Sequence, residues 1–251
     1  LGYTEALGMP ELRARISRHY KEYYKAEISP DRVATTFGAS GAFLLAFLAA
    51  FDVGDKIAIV EPGYPGYRNI LTALGLQVIP LCAGPKQRFQ PTVDLLQEAG
   101  PINGLIIASP SNPTGTMLSK DELKKLVSWC KNKGVRLISD EIYHGISYGN
   151  SPATAASFDD QVIVINSFSK YFAMTGWRLG WMIVPHDLTH SIERLAQNLF
   201  VSPASLPQHA ALTALDCRKE LDTYVEIYAR NRAYLLNHLP SVGFEKLAPA
   251  L

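Results

Sequence analysis

The chain has 251 residues, 47% hydrophobic and 19% charged, with a net charge of +1. That length and balance suit one large globular α/β domain or two ordinary ones, and the near-zero charge gives no electrostatic basis for binding nucleic acid or an anionic membrane. The longest apolar run, Ala42–Phe51, falls short of the ~20 residues of a membrane span, and no basic segment followed by an apolar one opens the sequence as a secretion signal would.

In chain order, Tyr3 lies in a short entry that by itself reads as packing or turn filler. Pro10 suits the first turn of a helix running through Glu11–Tyr20, with Leu12, Ile16 and Tyr20 as its apolar stripe. Val33–Phe37 is strand-like and runs into Gly38-Ala-Ser-Gly41, after which Ala42–Phe51 has helical composition. A small-residue turn opening a helix presents free N–H groups and the positive end of the dipole, which together attract an anion. Ser40 serves there either as a helix cap or as a donor to that anion.

Lys56–Val60 is the next strand, stopped by Glu61-Pro-Gly-Tyr-Pro-Gly-Tyr67. Tyr64 is thereby displayed at a strand's carboxyl end, where ligands of parallel sheets collect; it packs the sheet edge or stacks on a flat ring. Leu76–Leu81 and Gly104–Ser109 continue the alternation, the latter feeding Asn112-Pro-Thr-Gly115, a good turn on its physics alone. Ser119–Lys133 reads as a helix with a capping box at Ser119 and Glu122, closed by Gly134. Val135–Ser139 is a buried strand leading into Asp140-Glu-Ile-Tyr143, and Asp140 is either a loop anchor or a carboxylate set against a cationic ring.

Val162–Ile165 and Leu179–Val184 are core strands, and Lys170 and Arg178 lie in the connection between them. A lone loop lysine is usually just solvated. Here a neighbouring cation favours a free amine, and the Ser167 hydroxyl with the planar fork of Arg178 suits a phosphate. His186–Cys217 and Glu220–Leu239 are helical in character, with Pro203 and Pro207 breaking the first region. His144, His186, His190 and His209 lack metal-like pairing and read as structural, so no metal site is expected. Cys82, Cys130 and Cys217 lack metal or redox spacing and read as thiols of a reducing compartment.

The stretch Ser167-Phe-Ser-Lys170, with Ala173-Met174, Gly176 and Arg178-Leu-Gly180 at their places after it, resembles the lysine-attachment signature of the class I and II aminotransferases, pyridoxal-phosphate enzymes of fold type I. The resemblance implies a three-layer αβα sandwich around a mostly parallel twisted sheet, in agreement with the alternation of strand and helix. It further implies pyridoxal 5'-phosphate as a Schiff base on Lys170, with Asp140 at the pyridine nitrogen. Asn112 and Tyr143 would face the phenolic oxygen, and Tyr64 would stack on the ring. The backbone of Ala39, the hydroxyls of Ser40 and Ser167, and Arg178 would hold the phosphate. Gly38 and Ala39 depart from the family's Ser-Gly pair. Tyr3 corresponds to a tyrosine that reaches the phosphate of the partner subunit, which implies a homodimer with shared active sites. Glu141 receives no role.

The reaction so implied is transfer of an amino group from an L-amino acid to a 2-oxo acid in the cytoplasm. Lyases and synthases of the same fold, and the cofactor-binding sensor half of a transcription regulator, share these residues and are the alternatives. The family has further chain at both ends, including the arginine for the substrate carboxylate. Residues 1–239 are therefore expected to be the large cofactor-binding domain, with 240–251 opening a small one.

Overall fold

The computed structural model describes residues 1–245. Helix α1 (Pro10–Tyr24) is followed by β1 (Val33–Thr36), α2 (Gly38–Ala50), β2 (Lys56–Glu61), α3 (Pro65–Ala73), β3 (Gln77–Cys82), α4 (Val93–Glu98) and β4 (Gly104–Ala108). Then come α5 (Lys120–Lys133), β5 (Arg136–Asp140), β6 (Ile163–Ser167), β7 (Gly180–Ile183), α6 (Thr189–Phe200), α7 (Ser205–Ala214) and α8 (Arg218–His238). The strands form one sheet in the order β1-β7-β6-β5-β4-β2-β3. β6, β5, β4, β2 and β3 pair in parallel, and β7 runs against both its neighbours.

Side chains alternate across the sheet, and each face has its own core. Ala58, Leu105, Leu137, Val164 and Trp181 face α1 and α5. Ile57, Ile59, Ile106, Ile138, Ile163, Ile165 and Met182 face α2. Covering both faces is why the parallel strands read as unbroken apolar runs. Helix α2 is apolar all round and is buried accordingly through Ala42, Phe43, Leu45, Ala46 and Phe47. No helix among the described residues is long and apolar enough to cross a membrane.

The capping box of α5 forms as its sequence predicts: Ser119 N donates to Glu122 Oε2 at 2.7 Å, Glu122 N donates to Ser119 Oγ at 3.3 Å, and Gly134 closes the helix in the left-handed region. Three local expectations differ. The Gly38–Gly41 turn is itself the first turn of α2, so Ser40 lies inside the helix and caps nothing. Pro203 lies in the break between α6 and α7, whereas Pro207 sits in the first turn of α7, where its missing N–H has no helical partner to lose. The segment through Tyr67 that is expected to stop the strand as a loop turns helical at Pro65, and α3 carries Tyr67, Ile70 and Leu71 at helical spacing. The expected opening of a second domain over 240–251 extends into residues 246–251, which lie outside the described ones.

Candidate active site

The topology brings the candidate residues to one edge. β2, β4, β5 and β6 are parallel, so Tyr64, Asn112, Asp140 with Tyr143, and Lys170 all follow strand carboxyl ends on the same side. β1 points the same way and delivers the N-terminus of α2 there. β7 is antiparallel, so Arg178, just before it, returns to that edge as well.

These residues surround one cavity of about 230 Å³, lined by Ala39, Ser40, Tyr64, Asn112, Asp140, Tyr143, Lys170 and Arg178, with Phe43, Tyr67, Ile70, Ala108, Ile142, Ser169 and Thr175 completing the wall. At its floor Asp140 is 4% exposed. Its Oδ2 accepts from the Tyr67 phenol and its Oδ1 from the Ile142 N–H at 3.1 Å. Burial pushes its carboxyl up to about 6, against the pull of those two donors and of Lys170. Among the described residues it has no ion-pair partner. Lys170 is half-buried, its Nζ 5.8 Å from the centroid of the Tyr143 ring. Burial and the nearby Asp140 both raise the Tyr143 phenol, which keeps it a proton donor.

The other end of the cavity is positive. Helix α2 starts with no side-chain cap and no acid in its first turn, so its N–H groups and dipole face the cavity undiminished. Arg178 takes a left-handed backbone conformation (φ 49°), and its Nη1 donates to Thr175 O at 3.1 Å. A Cβ on Gly38 would lie 2.7 Å from Arg178 Nη2, so the missing side chain is what lets the guanidinium settle on the first turn of α2. Tyr64 stands at the mouth, 42% exposed and edge-on to Tyr67, with ring centroids 5.4 Å apart. Asn112 is fixed by a closed turn in which Gly115 N donates to Ser111 O at 2.8 Å and Ser111 N donates to Thr116 O at 2.9 Å.

Two of the predicted residues do not line the cavity. Ser167 is one layer behind, its Oγ 2.9 Å from Ser169 Oγ and 3.2 Å from Leu179 O, and it is Ser169 that reaches the cavity wall. Tyr3 is 85% exposed and away from it. Sequence reading missed Tyr67 and Ser169. Tyr67 lies three residues beyond Tyr64, which precedes α3, and the start of the helix at Pro65 carries Tyr67 inward while Tyr64 stays exposed. Among the described residues, no group of three or more His, Cys, Asp or Glu side chains converges as metal ligands.

A cavity with an anion cradle at one end, an uncompensated buried carboxylate at the other and a lysine between them fits pyridoxal phosphate, and with this sheet it defines the cofactor-binding large domain of a fold type I enzyme. The family profile described as Aminotransferase class I and II matches residues 1–250, and the chain belongs to that family. It is 48% identical to the valine–pyruvate aminotransferase of Mycobacterium tuberculosis, over 99% of this chain and 66% of that protein. It is 31% identical to an aspartate aminotransferase of Sulfurisphaera tokodaii, over 96% of this chain and 62% of that one. A solved Thermus thermophilus aspartate aminotransferase mutant superposes with a TM-score of 0.94 at 27% identity, covering 99% of this chain and 70% of its own. The chain thus spans less than two thirds of the length of the curated relatives named here.

Proposed function

We propose that the complete protein transfers the amino group of an L-amino acid to a 2-oxo acid with pyridoxal phosphate attached at Lys170. The observation that carries this reading is the shared cavity of Lys170 and Asp140, with Arg178 and the α2 N-terminus at its far end. Bound there, the cofactor supplies a carbonyl for an amine and a ring that withdraws electrons from the carbon being deprotonated. The chain's own residues do the rest. Lys170 Nζ would hold the cofactor through its carbonyl carbon, with loss of water, and as a free amine would take a proton from the substrate's α-carbon and give one back. Asp140, anchored by Tyr67 and Ile142, holds a negative charge opposite the ring nitrogen. Arg178, Ser40, Ser169 and the N–H of Ala39 hold the anionic tail, with Ser167 orienting Ser169 from behind. Asn112 and Tyr143 would donate to the cofactor's phenolic oxygen. Tyr64 covers the ring, and Phe43, Ile70 and Ile142 keep water from it.

The exposure of Tyr3 supports a homodimer in which that phenol reaches the neighbour's phosphate, and the three free cysteines support a cytoplasmic location. Residues 1–239 form the large domain and residues from 240 lead into a small one. The name of the relative 48% identical to this chain puts valine and pyruvate first among substrates to assay. Complete protein loaded with cofactor should show a visible absorbance band that Lys170→Ala lacks, and turnover should stop when the 2-oxo acid is withheld. An unchanged visible spectrum in the variant overturns the reading.

A further inference from the structure

β5 leads into two successive buried carboxyls, and only the first belongs to the cavity. By strand alternation Asp140 opens toward the cofactor side, and Glu141 turns to the opposite face of the sheet. Glu141 is 1% exposed. Its Oε1 accepts from the Ala155 N–H at 2.8 Å and from Ser139 Oγ at 3.0 Å, which ties the end of β5 to the segment around Ala155. Its Oε2 has no hydrogen-bond partner.

An ionised Glu141 would have no cation beside it. His144 Nδ1 lies 3.6 Å from Oε2. That ring has Nε2 at 3.0 Å from Ser109 O, to which it donates, and Nδ1 at 2.9 Å from the Tyr24 hydroxyl, from which it accepts. Both ring nitrogens are thus engaged in the neutral form, and burial pushes the imidazole down to about 3. The other groups that face Glu141 are Asp140 on its own strand, Thr154 beside Ala155, and Tyr20 and Tyr24 from α1, none of them positive. In keeping with this, burial pushes the Glu141 carboxyl up to about 7. The charge of Asp140, on the opposite face, adds a smaller push in the same direction. Asp140 has two donors and Lys170 on its side, so the charge of the pair belongs there.

We propose that Glu141 is a positioning residue for Asp140: from the far face of the sheet it fixes the end of β5, and as the neutral member of the pair it leaves the negative charge on the cavity side. The proposal rests on the assignment above for what Asp140 faces, but its first readout needs no cofactor.

The test uses the complete protein carrying Glu141→Gln or Glu141→Leu. A carboxyl raised in the folded state stabilises fully below its unfolded value, and that contribution is lost as pH rises through the folded one. The buried, neutral His19 and His144 contribute in the opposite sense, so the readout is the difference: cofactor-free Glu141→Gln should gain melting temperature relative to wild type as pH rises from about 5 to about 8. Glu141→Gln keeps an acceptor at the Oε1 position and should bind the cofactor within about twofold of wild type, whereas Glu141→Leu should raise its Kd by about tenfold or more. A Gln variant with the wild-type pH slope, or as impaired in binding as the Leu variant, overturns the proposal, as does a Leu variant with wild-type Kd. If Glu141→Leu does not fold, the slope and Kd of Glu141→Gln decide alone. If wild type binds no pyridoxal phosphate, the functional assignment falls, while the slope still judges Glu141.

Discussion

The phenol of Tyr67 donates a hydrogen bond to Oδ2 of Asp140, joining the first turn of α3 to the end of β5 on the cavity floor. Burial, and then the neighbouring carboxylate, hold the tyrosine well above its ordinary range, so it remains a donor at every working pH. With Oδ1 taken by the Ile142 N–H, the carboxylate is fixed from two sides and open on the third, toward the cavity.

Tyr67→Phe removes one of those donors and leaves the ring volume in place. A hydrogen bond to a charged group contributes about 1.5–3 kcal/mol, so cofactor affinity should fall by roughly one to two orders of magnitude. The Asp140 titration, followed by difference absorbance of the bound cofactor, should move upward, because the lost donor favoured the charged form. Wild-type affinity in this variant would mean that the contact holds nothing in place.

Relative to Asp140→Asn, the cofactor-free protein should lose stability as pH rises from about 4 to about 6, the window set by Asp140, while His19 and His144, buried and neutral, act in the opposite sense in both proteins. The sign follows from the direction of the shift. Folded Asp140 keeps its proton at pH values where the unfolded chain has released it, so the benefit is complete below the unfolded value and gone above the folded one. Its full size is on the order of 3 kcal/mol. Asp140→Asn should remove this contribution from calorimetric melts and leave the one at higher pH, due to Glu141, in place. Adding pyridoxal phosphate should reverse the contribution of Asp140, since a cation opposite the carboxylate favours its ionised form. Wild type and Asp140→Asn with parallel melts across this window would argue against a buried, uncompensated Asp140.

The strands were legible because both sheet faces are covered, which makes Val162–Ile165 or Gly104–Ala108 continuous apolar runs. Helix α5 was legible because Ser119, Glu122 and Gly134 each satisfy backbone groups locally. The cavity residues were legible as a family signature, and strand ends explain why they meet. What escaped depends on direction rather than composition. Tyr64 and Tyr67 sit in the same Pro-Gly-Tyr repeat, and only the helix beginning at Pro65 turns one to the mouth and the other to the floor. Ser167 and Ser169 flank Phe168, and the pairing of Ser167 with Gly180 on β7 draws the first hydroxyl behind the second. Asp140 and Glu141 are chemically alike in the sequence, and the pleat alone sends them to opposite faces.

The three thiols should separate by access. Cys82 is exposed, Cys217 partly covered and Cys130 buried. The reactive species is the thiolate, and burial pushes the Cys130 thiol up to about 12. A thiol reagent followed by mass spectrometry should modify Cys82 first and Cys130 only under denaturing conditions. Modification of Cys130 in the folded protein at neutral pH would contradict its place on the buried face of α5.

Two glycines at the phosphate end should fail in different ways. Gly38 has φ of +64°, and an added Cβ would meet only the tip of Arg178, 2.7 Å away. The left-handed conformation costs Gly38→Ala about 1–2 kcal/mol, and the guanidinium, being the end of a flexible chain, swings aside. Folding should survive while the Kd for the cofactor rises by about tenfold, the scale of one lost charge-assisted contact. At Gly180 the Cβ would instead meet backbone, 2.8 Å from Gly38 C, 2.9 Å from Asn166 O and 3.0 Å from Ala39 N. None of these atoms retreats without disturbing the pairing of Ser167 with Gly180 or the start of α2. Gly180→Ala should therefore lose stability first, by about 1–3 kcal/mol as in other overpacked cores, with binding failing in consequence. Melting curves and cofactor titrations on both variants distinguish the two outcomes. Equal losses of affinity at equal stability would show that the contact between Arg178 and the first turn of α2 does not shape the phosphate site.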